Sequence, residues 1–148
     1  MIAQTIQLAL APVFVLVAIG NIMNILTSRL ARVVDRSREL QARHAETDGS
    51  EHDMVVIEIR QLDRRITLIG VALRLLVLSG LTIGLTVAIL FMQDFSSFDL
   101  QLVAAGAFLL AIGLLMWALL LFLRETQVAA AALKIPETYL EKDRKIGG

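Results

Sequence analysis

Residues 100–123 read LQLVAAGAFLLAIGLLMWALLLFL, 24 positions without one charged side chain. As a helix rising ~1.5 Å per residue, this stretch is ~36 Å long, enough to cross a hydrocarbon core of ~30 Å. Two more stretches behave alike. Residues 1–28 carry no charge over 28 positions, and residues 75–93 none over 19. Together these blocks hold 71 of the 148 residues. The whole chain is 57% hydrophobic and 19% charged, with a mean hydropathy of +0.72. Soluble domains run ~45–50% apolar and ~25% charged. A soluble single-core domain and a disordered chain are both excluded. The expectation is an all-α membrane protein with three transmembrane helices.

Lysine and arginine set the expected orientation. Eight arginines lie in 29–70, a ninth, Arg74, opens the second span, and five basic residues follow the third block, whereas the N-terminal residues and the segment 93–99 have none. The chain therefore divides into a first span over 1–28 with its N-terminus outside, a cytoplasmic segment 29–70, a second span 71–92, an external loop 93–99, a third span 100–123 and a cytoplasmic tail 124–148. No cleavable signal peptide is expected, because no basic n-region precedes the first block and that block is longer than an h-region. Pro12 lies inside the first span and predicts a kink or a weakened first turn. Pro136 is expected to end a helical start of the tail.

The segment 29–70 carries a helical stripe on each arm. Leu26, Leu30, Val33, Ser37 and Leu40 recur at spacings of three and four. Val55, Ile59, Leu62, Ile66 and Ile69 do the same and run straight into the second span. Between the arms stands Glu46-Thr47-Asp48-Gly49-Ser50, with Gly49 as the turn residue. The first two spans are thus expected to continue as long helices that pair as a cytoplasmic antiparallel hairpin with its turn near 46–50. His44 and His52 read as loop residues and form no spaced ligand set.

Three groups of polar residues are candidates for function. Arg29, Arg32, Arg36 and Arg43 make a basic stripe at the inner end of the first span. Asp35 and Glu39 stand within pairing reach of Arg32, Arg38 or Arg43. The plainer reading is a solvated, salt-bridged face; the sharper one is a lipid, anion or partner patch that includes Arg38, Arg64 and Arg65. Asn21, Asn24 and Ser28 share one face of the first span, extended outward by Phe14 and Gln7. Amides in hydrocarbon need partners, so this face either clasps another helix or lines a wet path. Ser79, Thr82 and Thr86 form a second polar row beside Gly80 and Gly84, and are likewise pore-lining or inter-helix candidates. Gly106 and Gly113, among alanines of the third span, read as helix packing. Trp117 reads as an anchor or packing residue. Arg74 is the one charge inside a span; snorkelling to the headgroups is the first expectation and pairing the second.

The remaining composition excludes more than it suggests. There are 14 basic and 14 acidic residues and no cysteine. A balanced charge argues against nucleic-acid binding, and the missing thiols exclude disulfides and thiolate sites. No span carries an acid, and no catalytic or phosphate-cradling motif is visible. Neither an enzyme nor a cofactor or metal site is expected.

The stretch SRLARVVDRSREL at 28–40, followed by LDRR at 62–65, resembles the bacterial membrane family catalogued as domain of unknown function 2721. The family pattern is Asn-Arg-Leu-x-Arg-x-x-Asp-Arg-x-Arg-x-Leu, and the likeness extends over about residues 6–126. Ser28 stands where the pattern has asparagine, so no role is carried to that position. The resemblance implies three spans, a charged inner hairpin and a bacterial inner-membrane location. It groups Arg29, Arg32, Asp35, Arg36 and Arg38 as one unit, with Asp63, Arg64 and Arg65 as structural pairing partners. It implies no activity or substrate. The functional expectation is a homo-oligomeric channel or pore-like assembly in contact with membrane lipids. The alternative is a membrane-anchored scaffold or regulatory subunit whose hairpin binds a cytoplasmic protein.

Overall fold

The computed structural model describes residues 2–95 and 97–133. They form three helices: α1 (Ile2–His44), α2 (Ser50–Gln93) and α3 (Gln101–Ala132). The sequence reading of a tail ended by Pro136 lies outside the described residues. At ~1.5 Å per residue, α1 is ~64 Å long and α2 ~66 Å. Both run unbroken from the apolar blocks into the charged segment, and they fold back on each other as a hairpin. α1 continues through Pro12. The proline has no N–H to offer the carbonyl of Leu8, and both residues line a cavity of about 430 Å³ at this end of the bundle.

A strict seven-residue repeat explains why helices of this length stay together. On α1 the buried positions Thr5, Pro12, Ile19, Leu26, Val33 and Leu40 are each seven apart. On α2 Val55, Leu62, Ile69, Leu76 and Ile83 repeat in the same way, and so does a second row of Ala72, Ser79 and Thr86. On α3 the row is Ala104, Ala111, Ala118 and Glu125. A repeat of 3.5 residues per turn keeps a seam facing its partner only if the helices wind left-handed around each other. α2 is the shared helix, since α1 and α3 touch it extensively and touch each other little. Its two rows differ in size. Branched aliphatic side chains fill the hairpin seam, where burial from water drives association beyond the apolar blocks and close packing holds the helices within them. Alanine, serine and threonine make the seam to α3, where close backbone approach does that work. The Ser79 hydroxyl donates to the Ala111 carbonyl at 2.7 Å, which needs just such an approach.

The glycines of α3 do not take part. Gly106 and Gly113 lie on its exposed side, with nothing near the place a Cβ would occupy. Packing on α3 rests on alanines 104, 111 and 118, one face away from the glycines that the sequence reading grouped with them. Gly80 meets only the Leu16 side chain, at ordinary contact distance, and Gly84 meets nothing.

The turn between α1 and α2 rests on Gly49, whose φ of 69° is a left-handed value that glycine adopts without strain. Glu51 and Asp53 follow in the first turn of α2, the favourable sign for the positive end of a helix dipole. His44 closes α1 and His52 stands in the second helix, so neither is a loop residue, and their ring centroids lie 4.3 Å apart.

All three helices are long and apolar enough to cross a membrane. Their apolar side chains point largely outward: Phe14 is 69% exposed, Leu109 70% and Trp117 64%. Surfaces of this kind are stable only where the surrounding medium is itself apolar.

Candidate functional site

The most deeply buried charged group is Glu125. Its side chain is 0% exposed and lies in the fourth position of the alanine row on α3. Arg29 of α1 donates from Nε and Nη2 to Oε2 at 3.0 and 2.7 Å. Arg65 of α2 donates from Nε to Oε1 at 2.9 Å. The Arg29 guanidinium also lies over the Phe122 ring, 5.4 Å from its centroid. One carboxylate thus receives both arginines and ties α3 to the two arms of the hairpin. It stands two residues past the charge-free stretch of α3, at the boundary between apolar and charged parts. A lone carboxylate buried there would be costly, and two hydrogen-bonded guanidiniums offset that cost.

Farther along the hairpin the pairing is more open. Arg36 Nε donates to Glu58 Oε1 across the seam at 2.9 Å, and its Nη1 to Glu39 Oε2 at 2.9 Å. These bonds, Glu58 first, hold the Arg36 guanidinium above its ordinary pKa. Glu39 also faces Arg43 at 3.9 Å. Arg38, Arg64, Asp35, Asp63 and Arg74 are exposed, and none of them makes an ion pair with a described residue. Among the described residues, the acids in ion pairs between helices are therefore Glu58 and Glu125, not Asp35 or Asp63. Arg29, Arg32, Arg36 and Arg65 come together around a cavity of about 720 Å³ between the hairpin and the end of α3.

The two polar rows of the apolar region have different fates. Ser79 is buried against α3, while Thr86 donates to the Thr82 carbonyl and Thr82 to the Leu78 carbonyl. All three hydroxyls are satisfied within the chain. Asn21 and Asn24 lie on the side of α1 facing away from α2, both exposed, and neither side-chain amide bonds to a described residue. Ser28 is exposed on the same side and donates to the Asn24 carbonyl at 3.0 Å. Gln7 is exposed as well. Where α1 begins, Thr5 donates to Asp94 at 2.8 Å across the hairpin's open end.

A family model described as "Protein of unknown function (DUF2721)" matches residues 9–135, which includes the clasp, α2, α3 and all but the first seven residues of α1. The chain belongs to the DUF2721 family. No curated protein and no solved structure matches it. The resemblance read from residues 28–40 and 62–65 thus names the right family. Within this DUF2721 chain the arginines of that motif have different partners: Arg29 turns to α3, Arg36 to α2, and Arg38 to solvent. Glu125, outside the quoted motif, is the residue that sequence reasoning missed. The available signal was its place seven residues after Ala118, in register with Ala111 and Ala104.

Proposed function

We propose that this membrane protein works as a homo-oligomer in which the outward face of α1 meets its own copies and lines a path across the bilayer. One observation carries this reading: Asn21 and Asn24 are exposed on a helix long and apolar enough to span a membrane, and their amides have no described partner. Amides facing lipid are costly, and an amide of a second copy or a column of water relieves that cost. The row Gln7, Phe14, Asn21 and Ser28 repeats every seven residues, so a left-handed assembly keeps it facing one axis. From Gln7 to Ser28 it covers ~31 Å, about the thickness of the hydrocarbon core. Phe14, 69% exposed, is its one large apolar member and would form the constriction. The positive-inside count supports an N-terminus outside, with Gly49 and the C-terminus on the cytoplasmic side, and the family resemblance supports a bacterial inner membrane.

The test combines mass in mild detergent with ion flux into liposomes. A closed oligomer that conducts, loses conduction on Asn21→Leu and conducts more on Phe14→Ala supports the pore. A monomer that carries no flux overturns it. The second reading, a membrane-anchored scaffold without catalytic activity, is favoured by Met54 and Ile57. These are 69% and 55% exposed on the part of the hairpin that extends beyond the apolar blocks. A monomer that binds one cytoplasmic protein through residues 29–65, and loses it on Ile57→Asp, would support that reading.

A further inference from the structure

The cavity bounded by α1, α2 and the end of α3 has a composition that the pore does not use. Three of its arginines, Arg29, Arg32 and Arg65, stand at the end nearest the apolar blocks. Among the described residues, the one carboxylate that meets them is Glu125, already engaged by Arg29 and Arg65. This end therefore holds two positive charges in excess. At the far end Arg36 is balanced by Glu58. Arg32 is exposed and makes no ion pair or hydrogen bond with a described residue. The α3 wall begins with Thr126 and continues through Ala129, Ala130 and Leu133, and Val33 and Leu62 of the hairpin also line the cavity.

Depth selects among anions. The charge-free stretch of α3 ends at residue 123, and the cavity's α3 wall begins at Thr126. That is ~4.5 Å beyond the hydrocarbon edge at ~1.5 Å per residue, within a headgroup layer ~5–8 Å thick. Arginines at headgroup level suit the phosphate of an anion whose apolar part lies in the adjoining hydrocarbon.

We propose that this cavity seats the phosphate of an anionic membrane lipid at its membrane end, held by Arg32 with Arg29 and Arg65 behind it, while the lipid's acyl chains run back toward the apolar blocks. The site is complete in one protomer and does not depend on the pore.

The full chain is reconstituted in mixed phosphatidylglycerol–phosphatidylcholine bilayers, extracted gently, and the lipids it retains are counted by native mass spectrometry. Wild type retains phosphatidylglycerol preferentially. Arg32→Gln lowers that preference about fivefold, the equivalent of one basic contact, and Arg32→Lys restores most of it. Arg38→Gln removes the same charge from the exposed outer surface of α1 and leaves the preference within about twofold, because salt screens a solvated charge. Both glutamine variants alter exposed side chains and leave the helical content unchanged. Equal losses from Arg32→Gln and Arg38→Gln would reduce the effect to a diffuse surface field, and no loss from either would empty the cavity of its role; each overturns the proposal. Binding of inorganic phosphate to lipid-free chain in detergent, abolished by Arg32→Gln, without any lipid preference, would assign the site to a soluble anion and overturn the lipid reading.

Discussion

Ser79 and Asn21 are both polar residues in apolar helices, and they have opposite solutions. The Ser79 hydroxyl is buried and donates to a carbonyl of the neighbouring helix. The Asn21 amide is exposed on the far side of α1 with no described partner. Glu125 repeats the first pattern with a full charge. Polar groups that point into the three-helix unit are matched inside it, whereas the amides on the outer face of α1 find no partner among the described residues. On the proposed reading, the contrast separates residues that hold the protomer together from residues that act between protomers.

Substitutions can break either side of this contrast. The largest effect is expected from Glu125→Ala, which leaves two partly buried guanidiniums facing each other; the loss is about 3–5 kcal/mol, read as a lowered thermal midpoint in detergent. Retention of wild-type stability would remove the clasp from the account. Ser79→Ala should cost about 0.6–2 kcal/mol in the same assay and leave the oligomeric state alone. Arg36→Gln opens a half-exposed network and should cost no more than about 1 kcal/mol, fading further in high salt. Asn21→Leu should not lower protomer stability at all, while it shifts the oligomer toward monomer in sedimentation. A destabilised protomer would mean that this amide has a partner within its own chain.

Much of the architecture was legible from periodicity alone. The charge-free blocks announced the spans, Gly49 announced the turn, and the apolar stripe from Val55 onward announced that the hairpin and α2 are one helix. The clasp was not legible, for a physical reason. A glutamate just past an apolar stretch looks like an ordinary solvated helix end, and only its register with the alanine row shows that it points inward. Local spacing also favoured Asp35, which stands among arginines on its own helix, over Glu58, which lies across the seam. Contacts between helices depend on how two registers combine, and a single stripe does not contain that information. The threonines at 82 and 86 could equally have faced water, and α2 carbonyls one turn back take their protons instead.

The claim that the outer face of α1 is a seam between copies can be tested directly, because the chain has no cysteine and each introduced thiol is therefore unique. Asn21→Cys, Leu81→Cys and Leu109→Cys place one thiol on an exposed position of α1, α2 and α3 respectively. Under mild oxidation in native membranes, the account predicts a disulfide-linked dimer for position 21 and monomer for positions 81 and 109. Monomer at all three positions, or equal dimer at all three, would contradict it.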